Sequence, residues 1–164
     1  MSMGKVWKYG DDVNTDVIFP GKYTYQIMTP EEMARHALED LDPGFAAAVK
    51  PGDIIVAGRN FGCGSSREQA VACLKAAGVA SVIARSFARI YFRNAINLGL
   101  AVVECPGAVD ALETGDQAEV DLAAGEVRSS KGIFRFIPMP ESVRELIEAG
   151  GLIEYTKRNL GTGG

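Results

Sequence analysis

The chain has 164 residues, 47% apolar and 23% charged, with a formal net charge of −4 at pH 7. That size and balance describe one globular domain with a single substantial core, and the acidic charge with scattered basic residues excludes the footprint of a nucleic-acid binder. No apolar run approaches a membrane span and no signal-peptide core opens the chain, so the expected location is cytoplasmic.

Val6 to Tyr9 reads as a short strand, followed by the polar run Gly10 to Asp16 and a second apolar stretch, Val17-Ile18-Phe19. Residues 20–26 form a loop carrying Tyr23, Thr24, Tyr25 and Gln26. Thr29-Pro30-Glu31-Glu32 opens a helix to about Asp40, with Thr29 as N-cap, Pro30 at N1 and Glu32 closing a capping box. The pattern then alternates. Strand Asp53 to Ala57 leads through a glycine-rich turn to a helix ended by Gly78, and strand Ala80 to Ala84 leads to a helix over Ser86 to Leu98. Gly99 and strand Leu100 to Glu104 follow; these lengths imply parallel pairing with right-handed crossovers. In the last third the alternation stops, and Gln117 to Leu122, Val127-Arg128 and Ile133 to Ile137 predict a β-meander. A helix over Pro140 to Ala149 and a second helical segment to Leu160 complete the chain, with residues 160–164 expected to fray. The fold expected is a single α/β domain over residues 1–164, with a mainly parallel sheet, crossover helices and an additional β-meander.

The turn Asn60-Phe61-Gly62-Cys63-Gly64-Ser65-Ser66-Arg67-Glu68 lies beyond the carboxyl end of a strand, where ligands sit in such sheets. Gly62 and Gly64 allow close backbone approach, free N–H groups at a helix start favour an anion, and Arg67 offers a planar fork for a carboxylate or phosphate. A helix start alone explains part of this, because Ser65 and Glu68 stand in capping-box order. Two glycines, two hydroxyls and an arginine within six positions exceed what a cap requires.

Cys63, Cys73 and Cys105 form no C-x-x-C pair, so neither a disulfide framework, a zinc site nor a complete iron–sulfur site is expected in this chain. Cys73 and Cys105 read as core residues, and Cys63 alone could line a pocket. The one histidine, His36, is expected at the surface without a partner, which argues against a Ser-His-Asp relay. Arg89 and Arg93 share a helical face that reads as solvated.

Three ordered motifs, Asn14-Thr15-Asp16-Val17-Ile18, Gly58-x-x-Phe61-Gly62-Cys63-Gly64-Ser65-Ser66-Arg67-Glu68 and Ser86-Phe87-Ala88-Arg89-Ile90, resemble the swivelling domain of the aconitase superfamily. More narrowly, from Val6 to about Leu160 the chain is similar to the separate small subunits of the 3-isopropylmalate dehydratase family. That resemblance implies a two-subunit hydro-lyase, a heterodimer or heterotetramer, whose large subunit carries a [4Fe–4S] cluster while this chain holds no metal. It implies dehydration and rehydration of a hydroxy diacid, with 2-isopropylmalate becoming 3-isopropylmalate in leucine biosynthesis. By the family pattern Ser65 is the base, acting as an alkoxide, and Asp16 orients active-site groups, although an Asx-turn would equally explain an aspartate there. Ser66, Arg67 and Gly64 would bind substrate, and Tyr23, Thr24 and Tyr25 fall in the loop that sets substrate choice. Relatives acting on homoaconitate tend to carry an arginine in that loop; residues 20–33 here contain none, which favours an alkyl-bearing diacid. The alternatives are the small subunit of homoaconitase or of 2,3-dimethylmalate dehydratase. A phosphate- or nucleotide-binding module is a rival of another class, but the turn lacks Gly-Lys-Ser/Thr and the third dinucleotide glycine.

Overall fold

The structure, a computed structural model, describes residues 3–163. Four parallel strands, β1 (Gly4–Lys8), β2 (Ile54–Ala57), β3 (Ser81–Ala84) and β4 (Ala101–Glu104), form one half of a sheet. Three antiparallel strands, β5 (Gln117–Asp121), β6 (Glu126–Ser129) and β7 (Gly132–Arg135), form the other, in the overall order β4-β3-β2-β1-β5-β6-β7. This is the expected parallel sheet continued by a meander. Side chains alternate between its faces. Trp7, Ile55, Val82 and Val102 enter one core, whereas Val6, Val56, Ile83 and Val103 enter the other. With both faces covered, the parallel strands read as continuous apolar runs.

Helices α1 (Thr15–Ile18), α2 (Pro30–Arg35), α3 (Phe45–Ala48), α4 (Gln69–Ala76), α5 (Arg89–Leu98) and α7 (Glu141–Ala149) contribute to the first core. α6 (Pro106–Ala111) and the meander cover the second. The last helix, α8 (Leu152–Gly163), occupies most of the tail expected to fray, and Gly164 lies outside the described residues. Among the described residues no helix is long and apolar enough to cross a membrane.

Several boundaries differ from expectation for identifiable reasons. Val17 and Ile18 are helical, because the Asn14 side chain accepts the Val17 N–H at 2.9 Å and caps a single turn. α2 begins as predicted, with Thr29 accepting the Glu32 N–H at 3.2 Å, but ends at Arg35. α5 starts at Arg89 rather than Ser86: the Phe61 N–H donates to the Ser86 carbonyl and the Ala88 N–H to the Phe61 carbonyl, holding residues 86–88 extended beside the turn. α3 and α6, each under two turns, carry too little periodicity to be read from sequence.

Candidate active site

The glycine-rich turn leaves β2 and is zipped to the loop preceding α1. The Asp12 N–H donates to the Arg59 carbonyl, the Gly62 N–H to the Val13 carbonyl and the Thr15 N–H to the Cys63 carbonyl, each at 2.8 Å. Gly62 adopts φ +83°, and any side chain there would collide with the ring of Tyr91. Thr15, itself buried, donates its hydroxyl to the Ser65 carbonyl at 2.8 Å. The two ordered motifs are thus one physical unit.

Because Thr15 claims the Ser65 carbonyl, residues 63–67 lie as a loop and α4 begins only at Gln69. Its N-cap is Glu68, with no side-chain capping bond, so the Ser65–Glu68 capping box does not form. The N–H groups of Gly64, Ser65, Ser66, Arg67 and Glu68 find no acceptor among the described residues. Consecutive free amides of this kind form an anion-binding concavity.

Arg67 is drawn inward, its side chain only 10% exposed. Nη1 donates to Thr24 Oγ1 at 2.5 Å, and Nη2 donates to the carbonyls of Thr15 at 2.8 Å and Phe19 at 2.5 Å. Asp16 lies 3.0 Å from Nη2 with its own side chain 67% exposed, while Nε is buried without a partner. The structure therefore unites Asp16, Gly64, Ser65, Ser66, Arg67 and Thr24. Ser65 and Ser66 are exposed, and Ser66 Oγ lies 3.4 Å from Asn94 Nδ2 on α5.

A cleft of about 200 Å³ opens here, lined by Thr15, Gly64, Ser66, Arg67, Arg89 and Asn94 among others. Asn94 drew no attention in the sequence, whereas Arg89 was read as part of a solvated helical face; it is exposed as expected, and both line the cleft. A larger groove of about 570 Å³ runs between Phe92 and residues 136–140 and also touches Arg89, but its lining is mainly apolar.

The loop over residues 20–26 divides at Thr24. Tyr23 turns away from the cleft: its hydroxyl donates to Glu39 at 3.1 Å and its ring packs on Phe19 and His36. His36 is thus partnered, contrary to expectation, with Nδ1 at 3.1 Å from Glu39; that hydrogen bond is the main cause holding the Glu39 carboxyl below its ordinary range. The Thr24 carbonyl accepts from Gln69 Nε2 at 2.9 Å. Beyond it Tyr25 is 98% exposed and Ile27 fully so.

Burial pushes the Cys73 thiol up to about 12 and raises that of Cys105. Half-buried Cys63 is raised too, by burial first and then by the Asp12 carboxylate. Among the described residues no three of His, Cys, Asp or Glu gather to hold a metal ion.

The aconitase C-terminal domain family matches residues 17–107. The chain is 50% identical over 159 residues to a protein named 3-isopropylmalate dehydratase small subunit from Thermodesulfovibrio yellowstonii, covering 96% of this chain and 94% of the relative. It is 53% identical over 157 residues to 3-isopropylmalate dehydratase small subunit 1 of Archaeoglobus fulgidus, covering 94% and 96%. A crystal structure of 3-isopropylmalate dehydratase from Methanocaldococcus jannaschii superposes with a TM-score of 0.89 at 44% identity, over 98% of this chain and 96% of that one.

Proposed function

The chain belongs to the family of 3-isopropylmalate dehydratase small subunits, within the aconitase C-terminal domain family, and from that premise we propose that it is the small subunit of a hydro-lyase interconverting 2- and 3-isopropylmalate in leucine biosynthesis. The observation that carries the reading is the likeness to such subunits along nearly the whole chain, at about half of all positions. A small subunit works with a large one, and Ser65, exposed beside an open cleft that Gly64, Ser66 and Arg67 line, suits a site completed by another chain.

The chemistry requires removal of a proton from the carbon next to a carboxylate while the neighbouring carbon loses its hydroxyl. The C–H electron pair becomes the double bond; water then adds in the opposite sense. Ser65 Oγ takes the proton. Its ability to carry negative charge rests on the unpaired amides of residues 64–68 and on the nearby Arg67 charge, donors fixed before reaction begins. Those amides and Ser66 also hold a substrate carboxylate. Arg67 contributes its charge, while Asp16, the most exposed of its partners, orients the guanidinium. Exposed Tyr25, in the loop after Thr24, and Ile90, in the cleft wall, are apolar side chains that can meet a branched alkyl group. Tyr23 anchors the loop instead, and Thr24 fastens it to Arg67.

The resemblance assigns a [4Fe–4S] cluster to the large subunit. The residues of this chain do not fit such a group: Cys73 and Cys105 are buried in separate cores, and Cys63 stands apart.

The test is co-purification with the large subunit followed by turnover of 2-isopropylmalate, 2,3-dimethylmalate and homoaconitate. Preferred use of 2-isopropylmalate supports the reading. Preferred use of either other acid overturns the substrate assignment, and no turnover of any overturns the activity.

A further inference from the structure

Asn94 approaches the glycine-rich turn from α5, and packing fixes its place there. Gly62, bare of a side chain, lets the ring of Tyr91 lie against the turn. Tyr91 donates its hydroxyl to the Ala70 carbonyl at 2.9 Å and meets Phe61 edge-on, with ring centroids 5.4 Å apart. The Ala88 N–H donates to the Phe61 carbonyl at 2.9 Å just before the helix starts. α5 is thereby pinned both to the turn and to α4. Asn94 follows Tyr91 by three positions, shares its helical side and stands half-buried in the cleft wall.

The bond that Asn94 makes serves the cleft rather than the fold. Its Nδ2 donates to Ser66 Oγ at 3.4 Å, and neither side chain has another hydrogen-bond partner among the described residues. Ser66 does not cap α4, whose N-cap Glu68 has no side-chain capping bond. At 3.4 Å the contact is long, as hydrogen bonds in a site often are before substrate arrives. An exposed serine otherwise samples three staggered positions about χ1. Accepting a bond from Asn94 selects one of them and occupies a lone pair, so the single hydroxyl proton is directed away from the amide. Such a bond also polarises the O–H and strengthens its donation to an anion.

We propose that Asn94 is a positioning residue: by donating to Ser66 Oγ it holds that hydroxyl with its proton turned toward the substrate carboxylate. Asn94, Gly64, Ser66 and Arg67 line one cleft, so the oriented proton joins the donors of the turn. The inference rests on the hydro-lyase reading and deepens it by naming what orients one of the carboxylate donors.

The experiment is a double-mutant cycle of Asn94→Ala, Ser66→Ala and the two combined, each paired with a saturating amount of the large subunit. Freeing three rotamers costs about threefold, and losing the polarising bond raises this toward tenfold. Asn94→Ala should therefore raise KM for 2-isopropylmalate by about threefold to tenfold, with kcat within about twofold of wild type. Ser66→Ala raises KM as well, and adding Asn94→Ala to it changes nothing further, because no hydroxyl is left to orient. Asn94→Gln keeps the amide donor and recovers part of the loss. Asn94→Ala removes no backbone contact and favours the helix, so Tm should not fall. Unchanged KM in Asn94→Ala overturns the inference alone. So do effects of the two substitutions that multiply, which would make Asn94 itself a substrate ligand, and a lowered Tm with a matching loss of kcat, which would make its role structural. A wild-type pair without turnover overturns the hydro-lyase reading and this inference with it.

Discussion

Replacing Arg67 by lysine preserves the charge and removes the fork, and the consequence extends beyond substrate binding. Nη2 bonds the carbonyls of Thr15 and Phe19, and Nη1 bonds Thr24. An ammonium group at the end of a differently shaped stem retains about one of these three bonds, so about two charge-assisted bonds are lost at about 1.5 kcal/mol each. The Asp16 pair adds little, because that carboxylate is mostly solvated. The expected loss is about 3 kcal/mol, which lowers Tm by about 6–12 °C in a chain of this size. Calorimetry on the isolated chain reads this directly, and in the reconstituted enzyme KM should rise as well. An unchanged Tm alongside a raised KM would refute the structural clasp and leave Arg67 as a substrate ligand only.

Thr24→Val removes the acceptor for Arg67 Nη1, whereas Thr24→Ser keeps it; steady-state kinetics should show a marked loss of kcat/KM in the first and near-normal values in the second. Lys75 Nζ donates at 2.7 Å to the carbonyls of Leu98 and Gly150, tying together the ends of α5 and α7. Lys75→Met is therefore expected to cost about 1–3 kcal/mol in chemical denaturation. An alkaline limit follows from Cys73, whose thiol is raised by burial from 9.0 to about 12. The unfolded chain releases this proton first, so stability is full below pH 9 and declines as pH rises toward 12. Buried Tyr91, also raised by burial, acts in the same direction. Denaturant midpoints between about pH 8 and 11 should fall for the wild type and fall less steeply for Cys73→Ala.

The parallel half of the fold was legible because its strands are short apolar runs separated by helical periods, with Gly78 and Gly99 as stops. The Ser65–Arg67 turn was legible through its density of glycine, hydroxyl and guanidinium groups. What the turn touches was not. The capping box failed because Thr15, fifty residues earlier, takes the Ser65 carbonyl, a tertiary contact that overrides local chemistry. Asn14 likewise turns a β-branched pair into helix. Tyr23 and His36 looked like a site residue and a solitary surface residue, yet they pack against each other and share Glu39. Arg89 and Asn94 lay in an ordinary amphipathic helix, and only the approach of α5 to the turn makes them neighbours of Ser66.

The central claim is that Ser65 Oγ accepts the substrate proton. Its side chain is exposed and only its backbone carbonyl is bonded, so Ser65→Ala should leave Tm and association with the large subunit intact. Turnover of 2-isopropylmalate by the reconstituted pair is the decisive measurement: the account predicts a fall in kcat of about a hundredfold or more, and kcat within a few-fold of wild type would contradict it.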